Sequence, residues 1–242
     1  MRYGIFGDVH SNREAFQKVI EEYKKEDIAN FICVGDIVGY GADPHWCIEE
    51  VQKIKAEIVG GNHDWASAGR FSTGYFNYAA REAVRWTQGI LTDGEKEFLG
   101  SLDLVINEKD FSVVHGSLDS PDFFYYIIDE KSVYRCFRNM RERNLCFVGH
   151  SHVPVVFSMG NDGIKYTYRN LIELKKDVKY IVNVGSVGQP RDGNPSAAFS
   201  IYDSDRMTVE IKRVDYDIES AANKILKAGL PEFLGHRLLE GR

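Results

Sequence analysis

Along this chain short apolar runs alternate with mixed polar stretches, and the rhythm changes near residue 100. The first half predicts strand 2–6, helix from about 12 to 25, strand 29–34, helix from about 44 to 54 and strand 56–59. Ser11 and Asn12 are N-cap residue types for the first helix, and Pro44 suits the opening turn of the second. Residues 75–89 read as a further helix, and Thr92 with Glu95 makes a capping box for a short one ending near Gly100. Strands alternating with helices in this way imply an α/β sheet with crossover helices.

Beyond residue 100 the runs predict strands at about 102–107, 111–115, 145–148, 154–158, 163–174, 179–184, 197–203 and 206–214, joined mostly by turns such as GNDG and DSD. Segment 131–143 is the helical exception, until helices at about 217–228 and 231–240, divided by Gly229 and Pro231, close the chain. This set of elements predicts an α/β (α+β) fold, a four-layer α/β/β/α sandwich of two mixed sheets with helices outside. No linker, repeat or low-complexity tract interrupts residues 1–242, which are read as one domain.

Composition narrows the class. Hydrophobic residues are 43% and charged residues 27% of the chain, ordinary values for a globular protein. The formal net charge of −6 disfavours nucleic acid as a main partner, since neutralising many phosphates calls for the opposite balance. An anionic small substrate remains compatible once bound cations offset the charge locally. The chain opens straight into a strand and carries no long apolar stretch, so a cytoplasmic protein with no membrane partner is expected; a homo-oligomer is compatible. Cys33, Cys47, Cys136 and Cys146 show no CxxC spacing and read as core thiols in a reducing compartment.

Five apolar runs lead into metal-binding side chains: YGIFGDVH, FICVGDI, EIVGGNHD, FSVVHG and LCFVGHSH. They hold five of the seven histidines, leaving only His45 and His236 outside, and those two read as structural. Residues two apart in a strand point the same way, so Asp8 with His10, and His150 with His152, are expected to aim at shared points. Glycines at 7, 35, 61, 116 and 149 allow the backbone to turn closely around a crevice at the sheet's carboxyl edge. Carboxylates, imidazoles and one amide, with no thiolate, suit Mn, Fe, Zn, Co or Ni. Seven ligands are too many for one tetrahedral ion and suit two divalent ions bridged by a carboxylate.

In this order, Asp8-x-His10, Gly35-Asp36, Gly61-Asn62-His63-Asp64, His115-Gly116 and Gly149-His150-x-His152 resemble the calcineurin-like metallophosphoesterase superfamily. The match covers residues 4–152 and extends, less sharply, to NVGSVGQPRDG at 183–193 and LPEFL at 230–234; GDIVGYGADP and the tail are similar to its small bacterial and archaeal phosphodiesterase branch. The resemblance implies one metal on Asp8, His10, Asp36 and His152, a second on Asp36, Asn62, His115 and His150, and Asp36 as the bridge. It implies phosphoester hydrolysis by a metal-bridging hydroxide, with no covalent enzyme intermediate. His63, next to Asn62, is read as general acid, with Asp64 orienting its ring. The second motif reads GDIVGYG where protein serine/threonine phosphatases and symmetrical diadenosine tetraphosphate hydrolases have GDxxDRG, so an arginine those families use on phosphate is absent.

Three further features bear on substrate. In SLDSPDFFYYIID, Tyr125 and Tyr126 are candidates to contact a nucleobase, while Phe123, Phe124, Ile127 and Ile128 read as core or dimer contacts. Arg135, Arg138 and Arg141 read as a solvated helix face, and Arg191 of GQPRDG as the better phosphate contact. The leading expectation is a phosphodiesterase acting on small phosphodiesters or nucleotides. The alternatives are an asymmetrical diadenosine tetraphosphate hydrolase, a phosphomonoesterase, a nuclease, a protein phosphatase and a non-catalytic scaffold.

Overall fold

The computed structural model describes residues 1–242. In chain order the elements are β1 (Arg2–Phe6), α1 (Arg13–Lys25), β2 (Asn30–Cys33), α2 (Pro44–Lys53), β3 (Glu57–Ile58), α3 (Asn62–Ser67), α4 (Tyr78–Ile90), α5 (Asp93–Ser101), β4 (Val105–Asn107), β5 (Phe111–Val114) and α6 (Glu130–Asn139). There follow β6 (Leu145–Val148), β7 (Val155–Gly160), β8 (Gly163–Thr167), β9 (Leu171–Glu173), β10 (Lys179–Asn183), β11 (Ala197–Asp203), β12 (Thr208–Val214), α7 (Ile218–Lys227) and α8 (Glu232–Glu240). One six-stranded sheet runs β3-β2-β1-β11-β12-β9, and the other β4-β5-β6-β10-β7-β8. Each is mixed: β1, β2 and β3 are parallel, as are β5, β6 and β10, while hairpins such as β7–β8 and β11–β12 supply the antiparallel pairs.

The layers follow from where apolar side chains fall. On α1, Ala15, Phe16, Val19, Ile20 and Tyr23 are buried at helical spacing, and the Asn12 side chain caps the helix by accepting the Ala15 N–H at 3.1 Å. That stripe, with faces of α2, α7 and α8, covers the outer side of the first sheet. Between the sheets lie Ile5, Ile32, Val34, Phe111, Val113, Phe147, Val182 and Tyr202. Val133, Cys136 and Phe137 of α6 seal the outer face of the second sheet. The result is the expected four-layer α/β/β/α sandwich. All four cysteines are buried and unpaired, and no helix is long and apolar enough to cross a membrane.

Several expectations need correction. The strand read at 163–174 is two strands in different sheets: β8 pairs with β7, and β9 pairs with β12 across the sandwich. The chain changes sheets at Tyr168–Asn170, so a continuous β-rich sequence spans a break in pairing. The helix read at 131–143 stops at Asn139, because Arg141 takes a left-handed φ of 52°. The helix read from 75 begins at Tyr78, where the Asn77 side chain accepts the Ala80 N–H at 3.0 Å. Helix α3 was not expected: it starts at Asn62 and carries Asn62, His63 and Asp64 in its first turn.

Candidate metal centre

The carboxyl ends of β1, β2 and β3 from one sheet, and of β5 and β6 from the other, open onto the same edge. Each is followed by one of the histidine- and aspartate-bearing turns. The expectation that strand alternation aims Asp8 and His10 together is corrected, because β1 ends at Phe6. Asp8 and His10 instead adopt left-handed φ angles of 49° and 48°, and His150 and His152 angles of 67° and 61°. Asp36 (56°) and Tyr40 (57°) share this conformation, which side chains other than glycine adopt at a cost. The convergence is real, but tight left-handed turns produce it. Gly149 allows the close approach, since a Cβ there would strike the Asp8 carboxylate.

Seven side chains meet. Ligand atoms of Asp8, His10 and His152 lie within 4.8 Å of one another, and so do those of Asp36, His115 and His150. Asp36 spans the two groups, with Oδ2 3.7 Å from His10 Nε2 and 3.2 Å from His115 Nε2. Asn62 Oδ1 approaches His115 Nε2 at 3.2 Å. All seven are buried.

Hydrogen bonds fix what these groups present to the centre. His10 Nδ1 faces the Val38 carbonyl at 3.0 Å, His115 Nδ1 faces that of Val34 at 2.8 Å, and His152 Nδ1 faces that of Gln189 at 2.6 Å. A carbonyl oxygen only accepts, so each Nδ1 carries a proton and, in the neutral ring, each Nε2 turns a lone pair inward. Yet His10 Nε2 and His152 Nε2 stand 3.0 Å apart, and His115 Nε2 lies 3.1 Å from His150 Nδ1. Burial pushes His150 and His152 down to about 3, which keeps both rings neutral, each with a lone pair free for a Lewis acid. Burial also works to lower His115, but the Asp36 carboxylate outweighs it and raises the ring to about 9, so with no cation beside it this ring holds a second proton on Nε2, where a metal ion would take its place. Lone pairs facing lone pairs between two carboxylates call for positive charge, and divalent cations fit this donor set.

Around these groups a tight frame holds the turns. Asp8 accepts the His150 N–H through Oδ1 and Oδ2 at 3.2 and 3.0 Å, tying the β1 turn to the β6 turn. Ser186 Oγ donates to the Asp8 carbonyl at 2.8 Å, and the Gly188 N–H to the same oxygen at 2.9 Å. The segment 183–193 thus clasps the first turn.

His63 stands beside the pair of clusters, with a ring nitrogen within 4.8 Å of a ring nitrogen of His10 and a carboxylate oxygen of Asp36. Its ring packs between Tyr40 and Phe76, at centroid distances of 4.4 and 4.8 Å, and Nδ1 rests on Gly39 without a partner. A Cβ at Gly39 would collide with that nitrogen, and its φ of 92° also suits glycine. Burial holds His63 well below the usual histidine range. Asp64 does not touch the ring, contrary to expectation. Its carboxylate accepts the backbone N–H groups of Asp36 (2.8 Å), Ile37 (2.8 Å), Val38 (3.2 Å) and Gly61 (3.1 Å). It therefore shapes the loop that presents Asp36.

Of the candidate substrate contacts, Tyr126 lies flat on His150, with centroids 3.9 Å apart and planes 19° apart. Tyr125 points outward and stacks on Phe123. Of the four residues read as core or dimer contacts, Phe124 and Ile127 are buried, whereas Phe123 and Ile128 are exposed and so lie outside the core. The Arg191 guanidinium sits over the Tyr40 ring, 5.6 Å from its centroid, and donates to Gln189 Oε1 through Nε (3.3 Å) and Nη2 (2.8 Å). Tyr40 holds the position of the arginine in GDxxDRG, so the fold brings a guanidinium to that place from another segment. Arg135 and Arg138 are exposed, His45 pairs with Glu95 at 2.6 Å, and His236 is exposed. Phe71, Tyr75 and Phe76, beside the centre, were missed as site residues: Phe71 lay outside every expected element, and Tyr75 and Phe76 fell in the first turn of the helix read at 75–89, ahead of its actual start at Tyr78.

Comparison with known proteins agrees with this geometry. The calcineurin-like phosphoesterase superfamily domain matches residues 1–206. An uncharacterised protein of Methanocaldococcus jannaschii is 39% identical over 246 residues, covering 98% of this chain and 97% of the relative. A metallophosphoesterase from Sphaerobacter thermophilus superposes with a TM-score of 0.87 at 36% identity, covering 100% of this chain and 99% of its own. A hypothetical protein from Pyrococcus horikoshii shares the fold, with a TM-score of 0.81 at 20% identity over 100% of this chain and 98% of its own.

Proposed function

The chain belongs to the calcineurin-like phosphoesterase superfamily, and from that premise we propose that it is a divalent-metal-dependent phosphodiesterase acting on small phosphodiesters or nucleotides. The observation that carries the reading is the pair of facing lone-pair clusters joined by Asp36. Asp8, His10, Asp36 and His152 would hold one ion, and Asp36, Asn62, His115 and His150 a second. Such ions polarise a phosphoryl oxygen and acidify bound water.

The protein's own groups do the rest. The backbone carbonyls of Val38, Val34 and Gln189 lock three imidazoles in the tautomer that turns Nε2 inward. His63 delivers a proton to the departing alkoxide. Burial disfavours its charged form, and an anionic phosphate beside it restores that form, so protonation follows substrate binding. Arg191, over Tyr40, engages a non-bridging phosphate oxygen, and Gln189 sets the angle of its guanidinium.

The test uses protein stripped with chelator and reloaded with Mn²⁺, assayed on bis-p-nitrophenyl phosphate and p-nitrophenyl phosphate, with bound metal measured alongside. Restored hydrolysis with a preference for the diester is expected, and Asp36→Asn should lose both metal and turnover. Full metal loading without hydrolysis of either ester would favour a non-catalytic member of the fold.

A further inference from the structure

Two cavities flank Tyr126, the residue stacked on His150. The first, about 550 Å³, has Asn62 and His150 at its base, so it opens directly onto the candidate metal centre. It is lined by Phe71, Tyr75 and Phe76 from one segment and by Phe123, Tyr125 and Tyr126 from another. Tyr75 is 85% exposed, Phe123 58% and Tyr125 46%, an unusual concentration of open ring faces beside a polar centre. Phe71 and Phe124 meet edge to face with centroids 5.1 Å apart, which ties the two lining segments together. The second cavity, about 740 Å³, lies on the Arg191 side and is lined by Ile128, Val153, Phe157, Ile164, Tyr166 and Tyr168 among others.

Charge is as informative as shape. The first cavity has one charged side chain, Asp122, and no cation. The second has Asp129 and Glu130 against a single arginine, Arg191. A polyphosphate chain laid in either cavity would leave most of its charges without a cationic partner. One phosphate at the junction, with an uncharged arm on each side, satisfies both cavities.

We propose that the substrate is a phosphodiester with a single phosphate and one planar aromatic ester arm, of phenyl or nucleoside size, seated among the rings of Tyr75, Phe76, Phe123 and Tyr125. The second cavity takes the other arm. This inference rests on the phosphodiesterase reading above and narrows it, setting monoesters and dinucleoside polyphosphates aside. Stacked rings bind any planar group without reading its edge, so the subsite selects aromatic over alkyl arms and discriminates weakly among bases.

Two measurements on metal-reloaded protein test it. In calorimetric titration, adenosine 5′-monophosphate should bind about tenfold tighter than ribose 5-phosphate, and Tyr75→Ala combined with Phe123→Ala should erase that difference. Both side chains are exposed, so the double variant keeps its core. In turnover, the methyl ester of adenosine 5′-monophosphate should exceed the methyl ester of ribose 5-phosphate in kcat/KM by about tenfold, both losing methanol, and the double variant should bring the ratio near unity. Equal affinities of the two monophosphates, or ratios indifferent to the double variant, would overturn the subsite. Hydrolysis of both esters with no aromatic preference would sink the subsite alone, whereas failure on both esters with the adenosine preference intact would sink the phosphodiesterase reading and spare the subsite.

Discussion

The carboxylate of Asp64 accepts the backbone N–H of Asp36 at 2.8 Å. With three more backbone donors on the same side chain, Asp64 sets the conformation of the turn that presents the central ligand. Asp64→Asn turns an amide N–H toward backbone N–H groups and leaves buried donors short of an acceptor, at a cost of about 1–3 kcal/mol. Denaturant unfolding should show that loss, together with lower metal content. Unchanged stability with an altered pH–rate profile would instead put Asp64 in the proton path.

His63→Ala should lower turnover by about a hundredfold or more on a diester with an alkoxide leaving group, and far less when p-nitrophenolate departs. Metal content should hold. Equal losses on the two leaving groups would mean that His63 serves the site in some way other than giving a proton.

For Arg191→Ala, kcat/KM should drop by about ten- to a hundredfold, chiefly through KM. Arg191→Lys should not recover it, because the guanidinium uses Nε and Nη2 together on Gln189 and lies across the Tyr40 ring. Recovery by lysine would reduce the role to simple charge.

Between the sheets, Phe147 is fully buried against Phe111 and Tyr202, with centroids 5.7 Å from each. Phe147→Ala should destabilise the fold by about 3–5 kcal/mol, visible as a lower denaturation midpoint. A change under 1 kcal/mol would mean that the two sheets close over the gap.

Lys212 and Arg2 hold the Glu26 carboxylate below its usual range. A lowered carboxylate contributes stability that is fully present above the unfolded value of about 4.3 and is lost as pH falls through the folded value. The group is partly exposed, so salt should weaken the effect. Stability of wild type minus that of Glu26→Gln should shrink on the acid side; a difference independent of pH would leave the pair no electrostatic role.

Much of this was legible in the sequence, and the failures have definite causes. Apolar runs ending in Gly-Asp, Gly-Asn, His-Gly or Gly-His located all seven converging side chains, because a strand end followed by a tight turn writes a short local signature. The reason for their convergence was not legible: Asp8, His10, His150 and His152 turn through left-handed backbone that no residue type among them announces. The partner of Asp64 lay 26 to 28 residues upstream, at Asp36, Ile37 and Val38, beyond any local pattern. The split of 163–174 between sheets is likewise a matter of pairing at a distance. Tyr75 and Phe123 line one cavity although 48 positions separate them in the chain.

The left-handed turns have an evolutionary corollary. Each non-glycine residue held that way costs about 1–2 kcal/mol, so Asp8, His10, Asp36, His150 and His152 make the most uncomfortable main chain surround the chemistry. Glycine at any of these places would relax the backbone while deleting a donor. A screen that rewards heat resistance alone is therefore expected to drift toward sturdier, inert descendants of this chain.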